Sequence, residues 1–333
     1  MVSYIIRRLL MLVPVLLGVT LAVFLVMQVI PDPTGIILGQ HATPAQMAAL
    51  RHELGLDRPV WVQYGDFLWK ALHGDLGRSY LTRQPVTYEI GRRFPHTIEL
   101  TLAAILIASV VGILAGIVSA IRQYTVIDHL AMVGALLGVS MPIFWLGLML
   151  IELFAVYLHW LPVDGRITLE AGYHFRTGFY IIEAAVTHNW PAFRDAVRHI
   201  ILPATALAAY STGLIARMTR SSMLEVIRQD YIRTARAKGV PESQVIFRHA
   251  LKNAMIPVVT VVGLQFGYLL GGAVLTETVF SWPGIGSLAV SAVQNSDIPL
   301  IQGTVLLVAT VFVLVNLVVD IVYAFLDPRI RYG

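Results

Sequence analysis

Six uninterrupted apolar runs, each near the length that crosses a bilayer, constrain this chain more than any other feature of its sequence. A hydrocarbon core about 30 Å thick takes about 20 apolar residues as a helix, and there every backbone N–H and C=O must find its partner inside the protein. The runs lie near Leu9 to Ile30, Thr97 to Ile121, Leu130 to Leu158, Ile200 to Met218, Ile256 to Thr276 and Pro299 to Leu326. The third is long enough to tilt, or to end inside the protein. The first follows Arg7 and Arg8 as a signal sequence would, but it outruns a signal's apolar centre. Pro31-Asp32-Pro33 stands where a small-residue cleavage site would be, so a retained helix is expected.

The expected fold is therefore an all-α integral membrane bundle of about six transmembrane helices. Composition agrees, with 57% hydrophobic and 13% charged residues, the latter about half the roughly 25% usual in soluble domains. The chain has no cysteine, which excludes disulfides, thiolate metal sites and a cysteine nucleophile. Its net charge of +4 calls for no nucleic-acid partner, because the charge follows topology. With the N-terminus in the cytoplasm, inside segments hold thirteen Lys and Arg against four in the shorter outside loops. The long first loop is left out of that comparison, as the positive-inside rule requires. Both termini are then cytoplasmic. The division expected is an N-terminal helix over 1–30, a periplasmic loop over 31–96, a core over 97–326 and a tail over 327–333. The core includes a cytoplasmic loop over 218–256.

The outer loop carries order of its own. Thr43-Pro44 predicts an N-cap and first helical position, and Gly55 ends that short helix. Val60 to Leu72 predicts a second helix, stopping at Gly74, with Trp61, Tyr64, Phe67 and Trp69 at helical spacing. Such a helix suits the outer membrane surface, or equally packing onto the protein's own outer face.

Cytoplasmic residues Ser221 to Pro257 are the most informative stretch. Leu224, Ile227, Tyr231 and Ala235 recur at three- and four-residue spacing, predicting one apolar helical stripe with Glu225, Arg228, Arg233 and Arg236 projecting elsewhere. Gly239 supplies a left-handed turn position. Pro241 can start a second helix, expected to run to about Ala254 before Pro257 opens the fifth span. No soluble domain of this chain covers the stripe, so a docking partner is expected to.

An energy source is not encoded. The three lysines, Lys70, Lys238 and Lys252, all lack a preceding glycine, so no phosphate-cradling Gly-x-x-x-x-Gly-Lys loop exists. His52-Glu53 has no second histidine at metalloprotease spacing, and no Gly-x-Ser-x-Gly occurs. Catalytic, cofactor-binding and metal residues are expected to be none. Polar residues inside the spans are costly and mark either structural pairing or a transport role: Glu152, Gln265, Asn316 and Asp320, with Glu277 at the outer end of the fifth span. A relay through Glu152 and Asp320 would make a proton-coupled transporter; a purely structural membrane protein is the other alternative. Gly112 and Gly116, Gly134 and Gly138, and Gly263, Gly267 and Gly271 mark close helix packing, at a subunit interface or along the pathway.

Several longer stretches then resemble one family. Arg-Met-Thr-Arg-Ser-Ser-Met-Leu-Glu-Val from Arg217 and Gln-Asp-Tyr-Ile-Arg-Thr-Ala-Arg-Ala-Lys-Gly from Gln229 look like the cytoplasmic loop of ABC importer permeases. The likeness is to the peptide and nickel group, and within it to bacterial dipeptide permease subunits. His249-Ala250-Leu251, Pro257-Val258-Val259-Thr260, the run from Thr276 to Gly286 and the tail Asp327-Pro328-Arg329-Ile330-Arg331 are similar too, as are Gly55-Leu56-Asp57, Gly74-Asp75-Leu76-Gly77 and Met141-Pro142-Ile143-Phe144-Trp145. The resemblance implies the type I importer permease fold in the bacterial cytoplasmic membrane. It implies a second homologous permease subunit, two ABC ATPase subunits, a periplasmic or extracellular substrate-binding protein and surrounding lipid as partners. It implies a coupling helix formed by Tyr231, Arg233, Thr234, Ala235, Arg236, Ala237, Lys238 and Gly239. Arg233 and Thr234 replace the Glu and Ala of the general permease motif, a departure usual in the peptide group. The substrate implied is a dipeptide or short oligopeptide, with glutathione or a nickel complex as group variants.

Overall fold

The computed structural model describes residues 2–28, 34–39, 42–168 and 172–326. The Asp320 side chain and the tail motif from Asp327 to Arg331 lie outside the described residues. Among those described, helices dominate and divide between two compact units.

The first unit comprises Met1–Thr97 with Pro283–Val313. It holds α1 (Val2–Met27), α2 (Thr34–Leu38), α3 (Pro44–Glu53), α4 (Val60–Leu72), the start of α5 (Val86–Ile121), α13 (Ile285–Gln294) and the start of α14 (Ile298–Leu326). Thr43 caps α3 through a reciprocal box with Gln46, and Gly55 beyond it has φ +70°. Val86, Ile90, Ile285, Leu288, Leu300 and Ile301 form its buried core. Polar pins register the pieces: the Ser79 hydroxyl donates to Asp297 at 2.5 Å, and the Ile285 N–H donates to the Thr97 hydroxyl at 2.8 Å.

The second unit comprises Ile98–Trp282 with Leu314–Gly333. After the rest of α5 come α6 (Val126–Ser140), α7 (Ile143–Leu150) and a π-helix over Ile151–Tyr157. Then follow α8 (Tyr180–Val186), α9 (Trp190–Ile227), α10 (Asp230–Ala237), α11 (Glu242–Gln244), a second π-helix over Val245–Ala250, and α12 (Leu251–Val279). Helix α9 is its axis. Small residues let neighbours reach the α9 backbone: a Cβ on Gly116 would stand 2.5 Å from Thr219 Cβ, and one on Gly213 would stand 2.3 Å from the Ala135 carbonyl oxygen. Lipid gives helices no hydrophobic reason to associate, so such close van der Waals approach holds them together. Gly112, Gly116 and Gly138 thus pack inside the chain, against Thr212, Ala216, Thr219 and Ala209. That is the close helix packing expected of them.

Five described helices are long and apolar enough to cross a membrane: residues 10–27, 86–121, 190–227, 242–279 and 298–319. A further apolar pair, Val126–Ser140 and Ile143–Tyr157, is bent by 110° at its break, the form of a broken span or a re-entrant loop. The single third span expected from Leu130 to Leu158 is corrected there. Met141 is extended (φ −81°, ψ 134°) because the following Pro142 crowds the helical region of its neighbour. The fifth span differs as well. Helical backbone runs from Glu242 through Val279, and Pro257 sits inside it rather than opening it. A membrane helix keeps an internal proline when its surroundings re-satisfy the freed backbone group.

Candidate functional site

Helix α9 stops at Ile227, Gln229 is extended (φ −71°, ψ 150°), and α10 starts afresh at Asp230. The stripe expected from Leu224 through Ala235 is therefore not on one helix. The break resets the helical phase, and the fully buried residue is Ile232, not Tyr231. Ile232 enters a cluster of Met223, Val245, Ile246, Ala250 and Ala254, so the chain itself covers the apolar anchor of this loop.

With Ile232 fixed inward, the rest of α10 faces out. Arg233, Thr234, Arg236, Ala237, Lys238 and Gly239 are exposed, and Ala235 is half-buried. Tyr231 is 44% exposed, and its hydroxyl accepts a hydrogen bond from Asn253 Nδ2 at 2.8 Å. Gly239 holds φ +73°, a conformation that strains any residue with a Cβ, and the Val240 N–H returns to the Ala235 carbonyl at 3.2 Å. Arg236 clasps Glu242 across the turn through Nε at 3.1 Å and Nη2 at 2.7 Å. Arg233, Arg236 and Lys238 make the outer rim basic.

The base of this loop is braced by charge. Arg220 donates from Nε and Nη2 to the two carboxylate oxygens of Asp128. Asp128 also accepts from the Ser119 hydroxyl and from the Tyr124 N–H at 2.9 Å. The turn between α5 and α6 is thereby fastened to α9 about two helical turns before α9 ends.

Away from the loop, a second buried pair has the same logic. Arg166 Nη2 donates to Glu99 and to the Gly178 carbonyl at 2.8 Å, and the Ile181 N–H donates to the other Glu99 oxygen at 2.7 Å. The guanidinium lies 3.8 Å from the Tyr180 ring centre and 5.1 Å from that of Trp282. Burial pulls the Arg166 pKa below its ordinary value, with the charge of Glu99 opposing the fall. Neither pair was anticipated from sequence. The available signal was an acid at the end of an apolar run, a position that demands a partner.

The intramembrane polar candidates part company. Gln265 accepts from the Ser211 hydroxyl at 2.8 Å. Glu277 is completely buried, Asn316 is half-buried, and Glu152 is exposed on the first π-helix.

The described residues thus hold up to six candidate crossings and a braced helix–Gly turn–helix arm. Residues 112–332 match the family described as binding-protein-dependent transport system inner membrane component, and residues 1–101 match its N-terminal counterpart. The chain belongs to this family: it is a multi-pass ABC-transporter permease component.

Among individual proteins, it is 50% identical over its full length to the di/tripeptide transport system permease protein DppB of Pseudomonas aeruginosa, covering 99% of that protein. It is also 50% identical to the dipeptide transport system permease protein DppB of Alkalihalophilus pseudofirmus, with 100% of both chains covered. In structure it resembles a chain of the MetNI methionine ABC transporter in an inward-facing conformation. That match has TM-score 0.53 at 17% identity and covers 72% of this chain and 97% of the other, a likeness of fold.

Proposed function

We propose that this chain forms one half of the translocation pathway of an ATP-driven importer for dipeptides or short oligopeptides. Separate ATPase subunits would supply hydrolysis, engaging Tyr231 to Gly239 from the cytoplasm, where both termini also lie. A second, related permease subunit completes the pathway, and an outer binding protein delivers the peptide. The observation that carries the coupling reading is the division of α10 into one locked residue and an exposed remainder. Ile232 is wholly buried while its neighbours face out. A helix held in this way transmits a push from a partner instead of yielding to it. The substrate class follows full-length identity to peptide permeases.

The test is co-purification from mild detergent, comparing the native chain with Gly239→Pro and Ala235→Glu. The native chain should carry an ATPase, and both variants should lose it while keeping the unfolding temperature of the bundle. Retention of an ATPase by both variants would remove Tyr231–Gly239 from the coupling role. Uptake of labelled dipeptide by proteoliposomes of the assembled transporter checks the substrate class.

A further inference from the structure

Helix α4 divides into three lengthwise arcs, which follow from about 100° of turn per residue. One arc packs on α1. The Tyr64 hydroxyl lies 3.0 Å from that of Thr20, and Phe24 lies 5.4 Å from the Tyr64 ring and 6.3 Å from that of Phe67, centre to centre. A second arc is polar: Gln63, Asp66 and Lys70 line a crevice of about 640 Å³ within the same unit. The third arc, about a quarter turn from Tyr64, is apolar and open. Trp61, Trp69 and Leu72 are 75%, 68% and 74% exposed along it.

We infer that this third arc lies in the outer membrane interface, with the bilayer itself as its partner. Three observations converge on that occupant. Helix α1, the candidate span on which α4 packs, itself leaves Leu17, Leu21, Leu25 and Val26 exposed. Its depth is right. Gln28, just past the end of α1, bonds Gln63 at 3.4 Å, while the Tyr64 hydroxyl reaches down to the Leu17 carbonyl at 3.4 Å. The α4 backbone therefore runs beside the last turns of the span. That is the level where an apolar face sinks about 5–10 Å and where tryptophan rings are enriched. Finally, chemistry matches position: the polar arc turns to the crevice, and the two indoles turn away from it.

Because the chain has no cysteine, single cysteines can be placed without background. A nitroxide label would be attached at Trp61→Cys, Trp69→Cys or Leu72→Cys, with Asp66→Cys as the polar-arc control, on the full chain in phospholipid nanodiscs. Paramagnetic collision with oxygen and with a water-soluble nickel chelate would then be measured. The inference expects the oxygen-to-nickel ratio at 61, 69 and 72 to exceed that at 66 several-fold. A high nickel rate at those three positions would make the arc a water-exposed surface. Low rates with both reagents would make it a protein contact. Either outcome overturns the inference, and neither bears on the α10 coupling reading.

Discussion

Asp128 and Arg220 stand 92 positions apart in sequence, yet they meet through two parallel hydrogen bonds of 2.9 Å each. The Asp128 side chain is 4% exposed and that of Arg220 26%, so removing one partner strands a shielded charge. Arg220→Ala should destabilise the second unit by about 3 kcal/mol, the lower end of the range for broken buried pairs. Asp128→Asn, which keeps an acceptor oxygen, should cost less. Thermal unfolding in detergent orders the two, and a reversed order would mean that the pair is not the brace described.

Ile232 makes the second prediction. Ile232→Ala should cost about 2–5 kcal/mol, as truncations of buried aliphatic residues do. The loss should appear locally, because Ile232 anchors a short helix. Trypsin should cut at Arg233, Arg236 or Lys238 much faster in the variant, while the unfolding temperature of the spans changes little. Unchanged cleavage would show that Arg236–Glu242 and Tyr231–Asn253 suffice to hold α10.

Glycine positions provide an internal contrast. Gly116→Ala and Gly213→Ala place a Cβ against atoms 2.5 and 2.3 Å away, whereas Gly134 has nothing within 4 Å. The first two should each cost about 1–3 kcal/mol through overpacking. Gly134→Ala should be neutral or slightly stabilising, since alanine is the better helix former. Equal effects at Gly134 and Gly213 would contradict the backbone-to-backbone contact of α6 with α9.

The Glu99–Arg166 pair yields a test by double substitution. Glu99→Leu alone should be severe, because Arg166 keeps its charge without its acid. Glu99→Leu with Arg166→Met should recover most of that loss, since apolar replacement of a whole buried pair is often neutral or better. Unfolding temperatures of both single variants and the double variant decide the matter.

Acid should loosen the loop before α8. Glu183 accepts from the Arg176 N–H at 2.8 Å, from the Thr177 N–H at 2.7 Å and from the Thr177 hydroxyl at 2.5 Å. Burial alone would raise its pKa, but these donors outweigh burial and hold it below the ordinary carboxylate value. A depressed acid stabilises the fold above its unfolded pKa, about 4.3, and loses that contribution as pH falls through the depressed value. Hydrogen exchange at Arg176 and Thr177 should therefore be flat from neutral down to that range and rise below it in relative terms. Glu183→Gln should remove the transition.

Much of this architecture was legible in the residues. Thr43 and Gly55 announce the ends of α3, and Val60 to Leu72 matches α4 to the residue, because caps and turn glycines act over a few positions. What escaped was decided by tertiary contact. Met141-Pro142 breaks one apolar run while Pro257 sits inside another, and composition cannot separate them. Of the expected stripe, Leu224, Ile227 and Ala235 do pack on the cluster around Ile232, but the break at Arg228 and extended Gln229 shifts the phase so that Ile232, not Tyr231, turns inward. Arg166 lies in a loop with no periodicity, and only the fold brings it to Glu99.

Helix α9 has 38 residues, so it is about 57 Å long at 1.5 Å per residue, against about 40–45 Å for a whole bilayer with its headgroups. It runs unbroken as a single strut longer than a bilayer crossing. One end carries Arg220 and the root of α10; the other carries Asp195, whose carboxylate accepts from the Thr168 N–H at 2.7 Å. A tilt of a few degrees imposed at the α10 end becomes a displacement of several ångströms at the Thr168 loop, with no change of fold anywhere between. A push at one end of α9 thus leaves as a sideways movement at the other.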